Sequence, residues 1–135
     1  ITGVQLEVDD VTDFEHRSFA EELTLCQRYY LRKNASSDAY TTFAQGYIYN
    51  STNGHFRTEF PTTMRATPSF GSSGTFRLIA PNADNLTSFL LNHASLDSAS
   101  FDCGVSGGHG ESNGNGGLIT ASNDANAYIR FDAEL

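Results

Sequence analysis

Tryptophan is absent from this chain of 135 residues, and cysteine, proline and basic side chains are scarce. Two cysteines are too few for a disulfide scaffold. No window approaches the roughly 18 consecutive apolar residues that a transmembrane helix needs, so we expect no membrane insertion. Eight Lys and Arg against 16 Asp and Glu give a formal net charge of −8. This argues against a duplex nucleic-acid partner, because such binding depends on clustered basic side chains.

The charge is distributed unevenly along the chain. Residues 1–25 and 81–135 are acidic, whereas residues 26–80 are net basic and contain Arg28, Arg32, Lys33, Arg57, Arg65 and Arg77. Ordinary solvated surfaces explain this pattern most simply. The alternative is that acidic and basic surfaces meet across subunits.

One amphipathic helix is predicted over residues 18–34, after an N-terminal strand or linker over 1–17 that belongs to an upstream domain. Ser18 and Glu21 have the spacing of a capping box, which marks the start of a helix. The apolar residues that follow have the spacing of a short coiled-coil stripe, and they are Phe19, Leu23, Cys26 and Tyr30. The stripe serves packing on the domain's own sheet or an oligomer interface equally well.

Residues 35–135 predict a mainly β domain, an antiparallel β-sandwich of the jelly-roll type. Short alternating segments are separated there by turns rich in Gly, Asn and Ser, which is typical of such folds. The clearest hairpin joins a strand over 40–49 to a return strand over 55–60 through the Asn53-Gly54 turn signal.

Aromatic and amide side chains cluster around this predicted hairpin. Tyr47, Tyr49, Asn53 and His55 combine amphipathic rings with hydrogen-bonding groups, which sugar and protein recognition both use. We therefore take them as candidate receptor-binding residues. For each residue taken singly, a place in the core or in an ordinary turn is the simpler interpretation.

The segment 104–117 contains seven glycines in fourteen residues and one apolar side chain, Val105. It predicts a long loop, and long loops in compact domains are usually functional or disordered. Its polar side chains complete the candidate receptor-binding set, and they are His109, Glu111, Asn113 and Asn115. His109 and Glu111 could ligate a metal, but a solvated loop histidine is the commoner case, so we predict no metal.

Catalytic signatures are missing from the sequence. The four histidines lack zinc-motif spacing, no Cys-x-x-Cys occurs, and neither a Gly-x-Ser-x-Gly elbow nor a Walker sequence is found. Sixteen acidic residues make some carboxylate pair inevitable, so such a pair carries no information without geometry. We expect no catalytic residues and no cofactor.

Several stretches together resemble a known family. The segments Gln5-Leu6-Glu7, Phe14-Glu15-His16-Arg17 and Leu25-Cys26-Gln27-Arg28-Tyr29-Tyr30 resemble a pattern in C-terminal domains of bacteriophage tail fibres and related virion proteins. The stretch from Phe60-Pro61 through Met64-Arg65-Ala66-Thr67-Pro68 is similar to a second segment of that family, and the ending Phe131-Asp132-Ala133-Glu134-Leu135 looks like its terminus.

This resemblance implies a distal fibre domain on the virion, homotrimeric and preceded by an upstream tail-fibre domain. Its implied partner is a bacterial cell-surface glycan or an outer-membrane protein. The alternative is a structural virion module, such as a capsid decoration or a trimerisation cap, without receptor contact. A polysaccharide-degrading enzyme is a third hypothesis with little support, since the shared motifs look structural.

Overall fold

The computed structural model describes residues 18–36, 38–108 and 113–134, so the predicted strand or linker over 1–17 lies outside the described residues. The described chain is mainly β and antiparallel with one N-terminal helix, which confirms that part of the prediction. The elements are α1 (Phe19–Gln27), β1 (Tyr30–Asn34), β2 (Thr42–Ile48), β3 (Asn53–Glu59), β4 (Ser69–Ser73), β5 (Phe76–Ile79), β6 (Ala83–Ala94), β7 (Ser98–Val105), β8 (Gly116–Ala121) and β9 (Tyr128–Asp132). Within these ranges no helix has the length and apolar character to cross a membrane.

Helix α1 begins as predicted and ends earlier than predicted. The amide nitrogen of Ser18 donates to Glu21 Oε2 at 2.8 Å, and Ser18 Oγ accepts from the Glu21 amide at 3.3 Å, which completes the capping box. The predicted range of 18–34 is wrong at its end, because the helix stops at Gln27. Residues 30–34 instead pair with β9, with Tyr30 opposite Asp132. Tyr30 is therefore a strand residue and leaves the predicted helical stripe.

The strands form two units. A three-stranded sheet has the order β1-β9-β4, and six strands close into a barrel in the order β2-β3-β7-β6-β5-β8. All pairs in both units are antiparallel. The turn spacing predicted a sandwich of two sheets, whereas the structure has a closed barrel and a separate three-stranded sheet.

A cluster of phenylalanine rings joins the small sheet to the barrel. Phe101 on β7 is fully buried, and its ring centroid lies 5.0 Å from Phe70 on β4 and 4.9 Å from Phe89 on β6. Phe131 on β9 lies 6.2 Å from the same ring. Aromatic rings at these separations contribute both buried area and edge-to-face attraction. The core therefore fixes the register of β7, which carries part of the candidate site on its outer face.

The β2–β3 hairpin is present, with its turn shifted from the predicted position. Asn53 is the first residue of β3, and the turn consists of the residues before it. Asn50 organises that turn, since its Oδ1 accepts from the amides of Thr52 at 2.9 Å and Asn53 at 2.8 Å. An Asn side chain that binds the backbone two residues ahead is a common turn device.

Candidate functional site

Three side chains form a row across the outer face of the barrel. Tyr47 on β2 lies opposite His55 on β3, and His55 lies opposite Asp102 on β7. The neighbouring positions Gly54 and Phe56 are buried. Because successive side chains of a strand point to opposite faces, the core packing of Phe56 directs His55 outward. Register alone thus brings together groups that are 55 residues apart at most in the chain.

The His55 ring lies between two tyrosines. Tyr49 stacks on it with a centroid distance of 4.4 Å and an interplanar angle of 25°, and Tyr47 meets it edge to face at 5.9 Å. Tyr47 is 50% exposed and Tyr49 is 39% exposed. We call Tyr47, Tyr49 and His55 the aromatic surface. Its rings are held by one another while large parts of them remain open to a ligand.

Asp102 lies beside the imidazole of His55 on the neighbouring strand. His55 Nδ1 lies 2.5 Å from Asp102 Oδ1, and both side chains are partly exposed. That oxygen atom is itself shielded from solvent, and apart from this contact it has no hydrogen-bond partner among the described residues. Because Nδ1 faces the carboxylate, Nε2 is the nitrogen that can bond a ligand.

The sequence analysis missed Asp102. It lies in a strand that was predicted from its apolar residues, and nothing near it in the sequence distinguishes it from the other acidic residues. Only the pairing of β3 with β7 puts it beside His55. No local signal could have identified it.

Both ends of the glycine-rich segment are bonded to the tip of the β2–β3 hairpin. The amide of Val105 donates to Thr52 O at 2.9 Å, and at the other end the amide of Gly114 donates to Ile48 O at 2.7 Å. The segment therefore begins and ends next to the aromatic surface. Asn113 is exposed there, whereas the predicted receptor residues His109 and Glu111 lie outside the described residues.

The two remaining predicted asparagines take part in local structure. Asn53 Nδ2 donates to Thr52 Oγ1 at 2.8 Å and to Asn50 Oδ1 at 3.3 Å, so its amide stabilises the hairpin turn. The backbone oxygen of Asn115 accepts from the Ile48 amide at 2.9 Å. The aromatic part of the predicted receptor set is thus brought together. The Asn53 side chain and the Asn115 backbone take part in the hairpin structure beside it.

The predicted oligomer residues lie on an open helix. No side chain of α1 is buried by the described chain; Phe19 is 82% exposed, and Leu23 and the free thiol of Cys26 are exposed as well. The stripe therefore does not pack on the described part of its own domain. Tyr30 is also exposed, but on β1.

The free thiol of Cys103 lies next to the Asp102 position and is buried. Burial, with a smaller effect of the Asp102 charge, raises the pKa of the Cys103 thiol to about 12, which keeps it protonated and unreactive at neutral pH. In residues 18–36, 38–108 and 113–134, no group of three or more His, Cys, Asp and Glu could hold a metal ion.

No family model matches the chain. Neither the curated proteins nor the solved structures contain a match to it. The interpretation of the aromatic surface and Asp102 as a binding site therefore depends on their geometry and on the chemistry of their side chains.

Proposed function

We propose that this chain is a non-enzymatic receptor-binding domain of a phage tail fibre, which attaches the virion to a bacterial surface glycan. The observation that carries the proposal is the aromatic surface with its imidazole–carboxylate pair. Exposed tyrosine rings offer apolar faces to the C–H face of a sugar and hydroxyls to its polar edge. An imidazole held by a carboxylate adds an oriented hydrogen-bonding group.

The size of the surface favours a glycan over an outer-membrane protein. A stable protein interface buries about 800 Å² on each partner. Two tyrosine rings around one imidazole suit one or two sugar rings better than a flat protein surface. An outer-membrane protein receptor would need further contacts, and the glycine-rich segment next to the aromatic surface is where they would come from.

The exposed face of α1 supports a homotrimer within this proposal. Phe19, Leu23 and Cys26 are open in the single chain, and burying them against two further copies would remove apolar surface from water. Three linked weak sites would then bind far more tightly than one. The phenylalanine contacts of the small sheet with β6 and β7 also support a local two-layer, sandwich-like arrangement in each subunit.

The same exposed helix favours a second candidate function. A trimerisation cap or capsid decoration would need the α1 interface and no receptor contact. The two functions differ in one property, because the cap would assemble without binding bacterial cells.

Binding of the fluorescently labelled domain to a panel of bacterial strains tests the proposal. We expect cell coating that purified surface polysaccharide of the bound strain competes away. Joint Tyr47→Ala and Tyr49→Ala substitution should abolish coating. Tyr40→Ala is the matched control, because Tyr40 is similarly exposed but lies against Arg77, at 4.3 Å, outside the aromatic surface. A domain that forms trimers but coats no bacterial strain would favour the trimerisation cap. If only a purified outer-membrane protein competes with coating, that protein and not a glycan is the receptor.

A further inference from the structure

A cleft of about 430 Å³ opens where strands β2 and β3 separate. The two strands pair from Ile48–Gly54 to Gln45–Arg57. Beyond that point β2 continues along β8 with a register shift between Thr42 and Ala44, while β3 continues along β7. Irregularities of this kind bend a strand and are frequent beside binding sites.

Lys33, on the neighbouring sheet, lies against the wall of this cleft without being one of its lining residues. Its ammonium donates to Thr58 Oγ1 at 2.6 Å and to the backbone oxygen of Glu59 at 3.2 Å, and both residues line the cleft. Burial lowers the pKa of Lys33, because the ammonium is partly removed from water. Among the described residues Lys33 forms no ion pair, and its two hydrogen-bond acceptors there are neutral oxygens.

Arg57 is a cation in the lining itself. Arg57 is exposed, and its Nη2 lies 3.6 Å from Glu59 Oε1. An exposed pair of this kind is weak, so the guanidinium remains free to bind a ligand anion. In the lining, the charges of Arg57 and Glu59 balance, so the ammonium of Lys33 next to the cleft wall gives this region one net positive charge. One carboxylate would balance it, and Arg binds carboxylates in a two-pronged geometry.

The cleft lies next to the aromatic surface along the hairpin. Arg57 follows His55 by two residues on the same face of β3, and Gln45 precedes Tyr47 by two residues on β2. Two residues along a strand span about 7 Å. A linear ligand lying along the hairpin would therefore contact the aromatic surface and the cleft together.

We propose that this cleft binds the carboxylate of an acidic saccharide whose neighbouring sugar ring stacks on the aromatic surface. The inference rests on the proposed function and names its substrate class, a glycan that contains uronic or other carboxylated sugars. Arg57 supplies directed hydrogen bonds at the edge of the cleft. The partly buried ammonium of Lys33, next to the cleft wall, adds electrostatic attraction for the carboxylate.

An array of purified bacterial capsular and lipopolysaccharide glycans tests the inference, with each acidic glycan printed in its native form and after reduction of its carboxylates to neutral alcohols. We expect native acidic glycans to be bound about tenfold more tightly than their reduced forms, which corresponds to one or two charge-assisted hydrogen bonds. Lys33→Met and Arg57→Gln should each reduce this preference. Arg130→Gln removes an exposed charge from the other sheet and should leave it unchanged.

The outcomes separate the two proposals. Equal binding of native and reduced glycans, or binding of neutral glycans alone, overturns the acidic-saccharide inference and leaves the glycan receptor standing. Binding of no glycan overturns both. If Lys33→Met fails to fold, Arg57→Gln decides alone, because the Arg57 side chain is exposed and its loss leaves the core intact.

Discussion

His55 Nδ1 lies 2.5 Å from Asp102 Oδ1, across two strands at a position where the residues are directly opposite. One position further along the same strands, Phe56 lies opposite Phe101, and both are fully buried. The core therefore sets the register that brings the imidazole to the carboxylate. In this way the packing of the barrel determines the shape of the aromatic surface.

Substitution of Asp102 should weaken ligand binding with little effect on stability. Asp102→Ala removes the group that orients His55, and we expect a several-fold loss of glycan affinity. Asp102→Asn keeps the shape of the side chain, so its glycan affinity should lie between that of the native chain and that of Asp102→Ala. Because the pair is partly exposed, the free energy of unfolding should change by less than about 1 kcal/mol. Calorimetric titration and thermal melting measure the two quantities, and unchanged affinity of Asp102→Ala would contradict the orienting function.

Gly46→Ala should destabilise the barrel strongly. A Cβ at Gly46 would clash with the backbone oxygen of His55 and lie 2.6 Å from Phe56 Cα. Backbone cannot move aside as a side chain can, so we expect a loss of about 3 kcal/mol or more in urea unfolding. Gly116→Ala is the matched control in the adjoining strand, where the nearest atom would be 3.8 Å away. Equal stability of the two variants would be inconsistent with the close β2–β3 approach.

Asp124 should give stability that depends on pH. Its carboxylate accepts from the Thr75 amide and the Asn126 amide, each at 2.9 Å, and these hydrogen bonds lower its pKa below the ordinary 3.8. A lowered pKa in the folded state means that the stabilisation is complete above the unfolded pKa and is lost as the pH falls through the folded value. Thermal melting of the native chain and Asp124→Asn should therefore differ at pH 7. The difference in melting temperature should narrow below about pH 4. A difference that stays constant with pH would contradict a stabilising effect of the Asp124 carboxylate.

Helix α1 should control assembly without controlling folding. Leu23→Glu puts a charge into the exposed apolar stripe, and we expect it to convert a trimer into monomers in sedimentation equilibrium. The monomeric variant should still fold cooperatively, because the described chain does not bury Leu23. It should lose only the stabilisation that assembly adds, which depends on protein concentration. Leu96→Glu is the control, since Leu96 is similarly exposed in a turn between β6 and β7. A native chain that stays monomeric at micromolar concentration would refute the trimer directly.

Short-range features of this chain could be predicted from the sequence. The capping box of Ser18 and Glu21 and the aromatic hairpin depend on residues a few positions apart. The end of α1 could not be predicted, because residues 30–34 form a strand only through pairing with β9, about a hundred positions later. For the same reason, sequence analysis found Tyr47, Tyr49 and His55 but not Asp102, whose function depends on a long-range register.

The most direct test of the receptor surface is amide chemical-shift mapping of the domain during titration with a saccharide fragment from a strain that it coats. We predict the largest changes at residues 45–57 of the hairpin and at residues 100–104 of β7. Asp102→Ala should reduce the changes around His55. Changes confined to α1 or to the small sheet, or no changes with a fragment that competes for cell binding, would contradict the aromatic surface as the receptor site.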